Sequence, residues 1–468
     1  MKDLRLSLDW IIENIGVRMV GSGLAELSSQ MVSGISTDSR TVSPGEVFVA
    51  LAGERFDGHA HAAEAVKRGA LAVVAHKTLR GEAGRLAIKV PDTLEALGHL
   101  ANSLRRRQGL KVVALTGSNG KTTTKELLAA ILKKKDPFIL FTKGNLNNHV
   151  GLPLTMFQVR KKSRLAILEM GANHFGEIAY LTSIAEPDVA LITSIGAAHL
   201  EFFGSLSKVA QAKGELYAGL NTSAVAVVDA DEPLLTRQAK AFRGNKLFYG
   251  IGPEAQVRLG RIRARGLQGQ ELLLSGPGAA KGLKVNLRLL GAHNAHNALA
   301  AAAAALAAGA DWGQIKAGLE EAESYPGRLH AVKAASGLWI LDDSYNANPT
   351  SMAAGLKVLA ESGYKGPRGA ILGDMGELGS KEKAFHRDLG RLTAELNLDF
   401  LAFVGPLSSL AAAAARRNGF DKSAVAEFDD AEDAARWVHE TRPGQSAVLV
   451  KGSRFMKLEK AVSYLQNI

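Results

Sequence analysis

Cysteine is absent from the 468-residue sequence. Its absence excludes disulfide bonds and thiolate metal sites, and it is compatible with an intracellular protein. The first residues, MKDLRLSLDWIIENIG, alternate charged and apolar side chains and lack the continuous apolar core of a signal peptide. Secretion is therefore not expected, and a cytoplasmic location is predicted.

Long apolar segments are missing as well. The segment that comes nearest to a membrane span is NALAAAAAALAAGA at 297–310. It is mostly alanine and falls short of the roughly 20 strongly apolar residues that a spanning helix needs. We predict an internal helix whose small side chains allow close packing, and no insertion into a membrane.

Aromatic residues are few, at 6% of the chain, and they do not interleave with the basic runs LRRRQ, KKK and RKKSR. Nucleic-acid-binding surfaces often combine basic and aromatic residues, so no nucleic-acid partner is expected despite the formal net charge of +11. Scattered basic runs are typical of solvated helix faces. The positive charge would also suit a small polyanionic substrate.

Apolar runs alternate with helical patterns in three successive parts of the chain, which predicts an α/β protein of three domains. Residues 1–90 carry short β-like runs around a helical segment and form a small α/β domain. Residues 91–325 have the pattern of a parallel sheet with crossover helices. Residues 326–468 begin another alternation, which predicts a Rossmann-like α/β domain.

The stretch VVALTGSNGKTTTKELL, at 112–128, predicts a strand, a tight glycine turn and a helix. Free amide groups at the start of such a helix bind anions, a lysine reaches the terminal phosphates, and a threonine hydroxyl ligates magnesium. The usual pattern has one more glycine, where this chain has Leu115, so the match is to the shorter G-x-x-G-K-T. We predict a nucleoside triphosphate loop made of Gly117, Ser118, Asn119, Gly120, Lys121, Thr122 and Thr123.

Two further side chains follow predicted parallel strands and are candidates for a metal site. Glu169 ends the strand LAILE, and His199 follows DVALITSIGAAH. Strand ends of this kind meet at one edge of a parallel sheet, where ligands bind, and magnesium prefers hard oxygen ligands. Either residue alone would pass for a surface carboxylate or a loop histidine, and only their shared placement favours a metal site.

Eight blocks in order resemble the Mur ligases, the ATP-dependent amino-acid and peptide ligases of peptidoglycan precursor synthesis. They are TGSNGKTTTKE, TKGNLNNHVGLP, LEMGANHFGEI, SIGAAHLEFFGS, AKGEL, GAHNAHNALAA, YPGR and LDDSYNANPTS. EMGANHFGEI, DDSYNANPTS and LGDMGELG are most similar to family members that join D-alanyl-D-alanine to UDP-MurNAc-tripeptide. The resemblance implies ATP-dependent amide-bond formation through an acyl phosphate.

The resemblance also implies roles for the residues around the phosphate loop. Lys121 would neutralise the β- and γ-phosphates, and Thr122 and Glu169 would hold one magnesium ion. His199 would help to hold a second ion, supported by Lys213, which matches a family lysine that is carbamylated. From spacing alone, Lys213 would be an ordinary surface lysine.

Other matched positions would hold the nucleotide. Asn294 and Asn297, one turn apart on a predicted helix, are implied for the adenine, although a helix cap and an ordinary polar residue would give the same pattern. Arg328 is implied for the γ-phosphate, and Asp343 for the ribose.

The remaining candidates concern the other two substrates. The segment STDSRTVSPGEVFVALAGERFDGH is similar to the family's UDP-binding domain. Turn or capping residues would give the same pattern at each candidate position. The candidates are Ser39, Arg40, Asp57 and His59 for the UDP-sugar, Asn145 and Asn148 for the muramoyl-peptide, and Asn346, Asn348 and Lys451 for D-alanyl-D-alanine.

Three alternatives stay open at this point. Family members that add a diamino acid as the third residue are disfavoured because the chain lacks their DNPR box. A folylpolyglutamate synthase would not have the N-terminal domain. A regulatory nucleotide hydrolase that binds a partner through its basic surface would need no amino-acid acceptor. We expect a monomer.

Overall fold

The structure is a computed structural model that describes residues 4, 6–197, 200–442 and 444–467. The chain forms two compact units. The first comprises Met1–Leu115, Asp136–Ala190 and Glu215–Val225, and the second comprises Thr116–Lys135, Leu191–Gly214 and Ala226–Ile468. Across the described ranges, no helix combines the length and apolar character needed to cross a membrane.

Helices and strands alternate along most of the described chain, as expected for an α/β protein. The helices are α1 (Leu8–Glu13), α2 (Ala62–Lys67), α3 (Gly81–Arg85), α4 (Thr93–Gln108), α5 (Lys121–Lys133), α6 (Gly151–Met156), α7 (Glu177–Ala185), α8 (Leu200–Phe203), α9 (Leu206–Ala218), α10 (Pro233–Ala239), α11 (Ala292–Ala307), α12 (Trp312–Glu321), α13 (Pro349–Ala360), α14 (Glu382–Glu395), α15 (Ser408–Arg417), α16 (Ala431–Thr441) and α17 (Glu459–Gln466). The strands are β1 (Met19–Val20), β2 (Gly34–Ser36), β3 (Glu46–Val49), β4 (Ala52–Gly53), β5 (Phe56–Asp57), β6 (Ala72–Ala75), β7 (Ala87–Lys89), β8 (Lys111–Thr116), β9 (Leu140–Phe141), β10 (Leu165–Glu169), β11 (Val189–Ile192), β12 (Val225–Asp229), β13 (Asn245–Gly250), β14 (Val257–Ala264), β15 (Gln270–Gly276), β16 (Ala279–Leu287), β17 (His330–Lys333), β18 (Trp339–Asp343), β19 (Arg368–Gly373), β20 (Phe400–Val404), β21 (Val425–Phe428) and β22 (Ala447–Lys451).

The first unit contains a five-stranded sheet in the order β1-β7-β6-β3-β2. All pairs are parallel except β1 with β7. The continuous apolar run of β6, AVVA, is buried along its whole length. Continuous burial is typical of a parallel strand covered on both faces, and it explains why this part of the sequence has no alternating pattern.

Strands β9, β10 and β8 are neighbouring parallel strands in the same unit. Helix α4 packs against α7 beside them, where a Cβ at Gly98 would lie 2.6 Å from the hydroxyl of Tyr180. That hydroxyl donates to the carbonyl of Leu94 at 3.1 Å. Burial raises the pKa of Tyr180 to about 12, so the hydroxyl remains a hydrogen-bond donor at neutral pH.

The second unit contains strands β12 to β16, of which β14, β15 and β16 form an antiparallel meander. The sequence pattern predicts only a parallel sheet here, and the antiparallel meander corrects that prediction. The alanine-rich helix α11 is buried along Ala298–Ala305, as predicted, and packs against α5. Helix α12 also packs on α5, where Gly318 allows a close approach: a Cβ there would lie 2.4 Å from the Cα of Ile131.

The second unit also contains a six-stranded sheet in the order β17-β18-β22-β19-β20-β21, parallel except for β17. Alternate residues face opposite sides of a strand. Accordingly, Leu341 and Leu372 pack with α13, α14 and α15, whereas Ile340 and Ile371 pack with α16 and α17. Helices therefore cover both faces, as predicted for a Rossmann-like arrangement.

Candidate active site

The predicted phosphate loop lies between β8 and α5, and two glycines give it its shape. Gly117 has φ +151° and Gly120 has φ +80°, both in the region that favours glycine. A Cβ at Gly117 would lie 2.1 Å from Oγ1 of Thr193, and a Cβ at Gly120 would lie 2.3 Å from Oδ1 of Asn297. The loop therefore tolerates no side chain at either position.

Hydrogen bonds from the loop after β11 fix the outer part of the phosphate loop. The amide of Ser118 donates to the carbonyl of Ser194 at 2.9 Å, and the amide of Asn119 donates to the hydroxyl of the same serine at 3.0 Å. Oγ1 of Thr193 donates to the carbonyl of Asn119 at 2.6 Å. The loop is held in its shape by the protein itself before any ligand binds.

Lys121 is the first residue of α5. Its Nζ donates to the carbonyl of Gly117 at 2.6 Å, across the mouth of the loop. The amide groups of the first helical turn have no acceptor within the helix. A positive side chain and helix N-terminal amides at one place form a binding site for an anion such as a phosphate.

The phosphate loop opens into a cavity of ≈ 880 Å³ that lies within the second unit. Among the described lining residues, the lysines and arginines outnumber the carboxylates, so the cavity favours an anionic ligand. The lining comprises Ser118, Asn119, Gly120, Lys121, Thr122, Thr123, Thr193, Ser194, Ile195, Ala197, His293, Asn294, His296, Asn297, Arg328, Leu329, Asp343, Asn346, Ala347, Asn348, Thr350, Ser351, Ala354, Gly376, Glu377, Lys451, Ser453, Arg454 and Phe455.

Helix α11 presents polar side chains to the cavity. Asn297 donates from Nδ2 to Oδ1 of Asn294 at 3.0 Å, so the two predicted asparagines do share one face. His296 lies between them in the sequence and is bonded through Nε2 to Oδ2 of Asp229 at 2.6 Å. Burial works to lower the pKa of His296, but the hydrogen bond and the charge of Asp229 outweigh it and raise the pKa.

Asp343 and Lys451 form a largely buried ion pair in the lining of the cavity. Nζ of Lys451 lies 2.7 Å from Oδ2 of Asp343 and donates to the carbonyl of Asn346 at 3.0 Å. Burial lowers the pKa of Lys451, and the charge of Asp343 opposes that shift. Oδ1 of Asp343 also accepts from the amide of Leu329 at 3.1 Å.

Asn348 caps helix α13, which is the capping role that the sequence left open for it. Its Oδ1 accepts from the amide of Ser351 at 2.9 Å, and the Ser351 hydroxyl accepts from the Asn348 amide at 3.0 Å. The side chain also donates to Asn119 of the phosphate loop at 2.8 Å. Oδ1 of Asn346 accepts from the amide of Ala347 at 2.9 Å.

Glu169 belongs to the first unit and is the last residue of β10, at the strand end where the sequence predicts it. Its side chain is buried, and Oε1 accepts from Nδ2 of Asn147 at 2.9 Å. Asn148 instead accepts from the amide of Gly151 at 2.8 Å and caps a turn, and Asn145 is exposed. Asn147 is not among the residues predicted from the sequence, and it is the asparagine of this segment that donates to the Glu169 carboxylate.

Lys213 lies on α9 and is buried, 2% exposed, with Nζ 5.8 Å from the ring centroid of Phe203. Lys213 is therefore not the ordinary surface lysine that its spacing in the sequence indicates. His199, the other candidate for the second metal ion, lies outside the described residues. No group of three or more His, Cys, Asp or Glu side chains suited to a metal ion occurs in the part of the chain that the structure describes.

The predicted UDP-sugar residues all lie in the first unit. Asp57 is bonded to Nδ1 of His59 at 2.6 Å and to Nζ of Lys77 at 2.5 Å, and these two contacts keep its pKa well below the usual range. The amide of His76 donates to Nε2 of His59 at 3.2 Å, so a neutral His59 carries its proton on Nδ1.

The side chains of Ser39 and Arg40 hydrogen-bond with residues other than Asp57 and His59. The guanidinium of Arg40 is mostly exposed and binds Asp38 in a fork, with distances of 2.9 and 2.7 Å. This contact lowers the pKa of Asp38 to about 2. Ser39 is buried and lies 3.5 Å from Oε2 of Glu64.

Three domain families match successive segments of the chain. They are the Mur ligase family catalytic domain at residues 31–105, the Mur ligase middle domain at 115–305, and the Mur ligase glutamate ligase domain at 327–454. The chain is a member of the Mur ligase family. The predicted three-domain α/β fold class is therefore confirmed.

Relatives of this Mur ligase match it over nearly its whole length. The UDP-N-acetylmuramoyl-tripeptide–D-alanyl-D-alanine ligase of Haemophilus influenzae is 36% identical over 470 residues, 99% of each chain. Among solved structures, MurF from Acinetobacter baumannii has a TM-score of 0.85 at 35% identity and covers 97% of this chain and 100% of its own. MurF from Thermotoga maritima in complex with ADP has a TM-score of 0.82 at 29% identity, with 93% and 97% covered.

Proposed function

We propose that this Mur ligase joins D-alanyl-D-alanine to UDP-MurNAc-tripeptide at the expense of ATP, forming UDP-MurNAc-pentapeptide. The observation that carries the proposal is the cavity that opens from the phosphate loop. Its lining includes four lysine or arginine side chains, together with residues of α11 and of the six-stranded sheet. Similarity over nearly the whole chain to a UDP-N-acetylmuramoyl-tripeptide–D-alanyl-D-alanine ligase and to a MurF structure supports the proposal. The absence of a DNPR box disfavours a ligase for the third residue.

Two steps account for the reaction. A terminal carboxylate oxygen of the tripeptide attacks the γ-phosphorus of ATP, and the bond to the β,γ-bridging oxygen breaks and releases ADP. The dipeptide amine then attacks the acyl carbon, the carbon–oxygen bond to phosphate breaks, and the amine loses its proton. Neither step needs a protein nucleophile, because phosphoryl transfer depends mainly on positioning and charge neutralisation.

For the nucleotide, we assign Gly117–Thr123 to the phosphates, with Lys121 neutralising the β- and γ-phosphates. The rigid backbone of the loop supports this assignment, because Gly117 and Gly120 pack so closely against Thr193 and Asn297 that no Cβ fits at either position. Asn294 and Asn297 are assigned to the adenine. From the C-terminal part of the chain, we assign Arg328 to the γ-phosphate and Asp343 to the ribose.

Magnesium keeps several waters and takes one or two carboxylates with substrate phosphates, and the buried carboxylate of Glu169 is a donor of that kind. We assign Glu169 and the hydroxyl of Thr122 to one magnesium ion, as the family resemblance implies. We assign carbamylated Lys213 and His199 to a second ion. Bound magnesium would polarise the phosphoryl oxygens and neutralise their charge.

For the other substrates, we assign Ser39, Arg40, Asp57 and His59 to the UDP-sugar, and Asn145 and Asn148 to the muramoyl-peptide. Asn346, Asn348 and Lys451 are assigned to the dipeptide end, where Lys451 acts through its contacts with Asp343 and the Asn346 carbonyl. The corresponding domains are 1–90, 91–325 and 326–468. One chain supplies every assigned group, so we expect a monomer, and a reaction that consumes ATP and a UDP-linked precursor is expected in the cytoplasm.

The proposal is tested by product mass. Purified protein is incubated with ATP, magnesium, UDP-MurNAc-dipeptide or -tripeptide, and a panel of free amino acids and D-alanyl-D-alanine. We expect one product, heavier than the tripeptide substrate by one dipeptide less one water. Turnover of the dipeptide nucleotide with a diamino acid would support the third-residue ligase instead, and ATP hydrolysis without any acceptor would support a regulatory hydrolase.

A further inference from the structure

The incoming dipeptide needs a partner for its C-terminal carboxylate, and the proposed function leaves that partner open. A carboxylate that leaves water requires a cation or several N–H donors. The cavity offers four lysine or arginine side chains among its described lining residues: Lys121, Arg328, Lys451 and Arg454. Their surroundings differ enough to distinguish them.

Two of these cations are already placed elsewhere. Lys121 reaches across the phosphate loop to the carbonyl of Gly117. Lys451 is only 2% exposed and is paired with Asp343 at 2.7 Å. A buried ammonium with its own carboxylate has little charge left for a second anion, so Arg328 and Arg454 remain.

The ring of Tyr345 brings those two arginines together. The guanidinium carbon of Arg328 lies 4.1 Å from the ring centroid, and that of Arg454 lies 5.5 Å from the same centroid. Each contact is a cation–π attraction, yet the two like charges repel each other. A bound anion would relieve that repulsion.

Both arginines retain capacity for an anion. Nε of Arg328 is buried and has no hydrogen-bond partner among the described residues. Arg454 has a 63% exposed side chain and one ion pair in the described chain, at 3.4 Å to Glu459. An orphaned buried donor and an exposed guanidinium at one ring indicate two neighbouring anion positions.

The spacing of the two anion positions, at Arg328 and at Arg454, suits a phosphate and the carboxylate of a dipeptide. Both distances are measured to one ring, so the guanidinium carbons are at most about 10 Å apart. An extended dipeptide spans about 7 Å. Its amine can therefore reach a carbonyl beside the phosphate at Arg328 while its carboxylate stays near Arg454.

The segment that carries Arg454 is fixed to the body of the sheet. The amide of Ser453 donates to the carbonyl of Asp374 at 3.0 Å, and its hydroxyl accepts from the amide of Gly376 at 2.9 Å. Phe455 covers Gly376, where a Cβ would lie 2.8 Å from the ring. Arg454 therefore extends from a rigid base, as a specificity-determining side chain requires.

We propose that Arg454, held beside Arg328 by the ring of Tyr345, binds the C-terminal carboxylate of D-alanyl-D-alanine and selects acceptors that carry a free carboxylate. This inference rests on the proposed function. Its prediction is a preference for the dipeptide over its C-terminal amide, which has the same shape and lacks the charge.

The test measures kcat/KM for D-alanyl-D-alanine and for D-alanyl-D-alaninamide. We expect wild-type enzyme to prefer the acid by about fivefold, because an ion pair of an exposed guanidinium is worth at most about 1 kcal/mol. Arg454→Gln should reduce the preference to near unity, mainly through KM for the acid. The KM values for ATP and UDP-MurNAc-tripeptide should stay within about threefold, because other residues hold those substrates.

Matched variants control for general damage. Arg391→Gln removes another exposed arginine that pairs with a nearby carboxylate, 2.5 Å from Asp388 on α14, and should leave the preference unchanged. Tyr345→Phe keeps the ring and should keep the preference, whereas Tyr345→Leu should lose much of it. Arg454→Lys keeps the charge without the planar fork and should retain part of it.

The outcomes separate the two proposals. An unchanged acid preference in folded Arg454→Gln would overturn the assignment of the carboxylate to Arg454. Complete loss of turnover in that variant at high dipeptide concentration would overturn it too, because a carboxylate anchor affects acceptor saturation. A wild-type enzyme that forms no product with the dipeptide would refute the proposed function instead.

Discussion

The side-chain amide of Asn348 donates a hydrogen bond of 2.8 Å to Oδ1 of Asn119. Asn348 is the N-cap of helix α13, which packs on the six-stranded sheet, and Asn119 lies in the phosphate loop. The bond couples the loop that would bind the triphosphate to the part of the chain that would bind the acceptor. One side chain both caps a helix and positions the loop.

Asn348→Asp separates those two roles, because aspartate keeps the capping oxygen and loses the amide donor. We expect the free energy of unfolding to change by less than about 1 kcal/mol, while KM for ATP rises about tenfold. Denaturant unfolding and ATP kinetics measure both effects. Ser351→Ala is the control: it should destabilise α13 without changing KM for ATP, and the opposite pattern in the two variants would contradict the coupling.

Gly120→Ala tests the closeness of the phosphate loop to α11. The variant has both an unfavourable φ and a Cβ 2.3 Å from Oδ1 of Asn297, so ATP turnover should be lost. Gly363→Ala has a similar φ of +69° and nothing within 4 Å, so it should cost only about 1 kcal/mol of stability and no activity. Equal effects of the two substitutions would show that the φ angle alone matters.

His296 should make stability depend on pH. Its folded pKa is raised above the ordinary value of 6.5 by Asp229, so its contribution is complete below that value and is lost as pH rises through the folded pKa. The difference in unfolding free energy between wild type and His296→Gln should therefore be larger at pH 6 than at pH 9. Asp229→Asn should reduce this pH dependence, and a difference that grows with pH would contradict the ion pair.

Lys213 should carry a carboxyl group in the folded enzyme with magnesium. A buried ammonium beside a metal ion and a triphosphate would repel the ion, whereas a carbamate supplies a hard oxygen anion. Carbon-13 bicarbonate labelling should give a carbamate signal that Lys213→Ala removes. Lys208→Ala, which changes an exposed lysine of the same helix, should retain it; a signal that survives in Lys213→Ala would belong to another lysine.

The phosphate loop, helix α11 and the strand-end position of Glu169 were predictable because each depends on a local pattern. A strand, glycines, Lys121 and a helix follow one another in the sequence, and a run of alanines needs only a buried face. The antiparallel meander of β14, β15 and β16 was not predicted, because strand patterns identify strands without identifying their partners.

Contacts between residues that are far apart in the chain could not be predicted from the sequence either. His296 and Asp229 are 67 positions apart, and Lys451 and Asn346 are 105 positions apart. Lys451 was predicted to contact the dipeptide, and only the structure shows that its ammonium is buried against Asp343. The sequence contains Arg328 and Arg454, but it does not show that both guanidinium groups lie near the ring of Tyr345.

The oxygen atom that an acyl phosphate must transfer to the released phosphate gives the most direct test of the proposed reaction. UDP-MurNAc-tripeptide labelled with oxygen-18 in its terminal carboxylate is incubated with ATP, magnesium and D-alanyl-D-alanine, and the released phosphate is analysed by mass spectrometry. Ligation through an acyl phosphate should place one labelled oxygen in each phosphate, and this phosphate should form only when both the tripeptide and the dipeptide are present. Unlabelled phosphate, or phosphate released at the same rate without the dipeptide, would contradict ligation through an acyl phosphate.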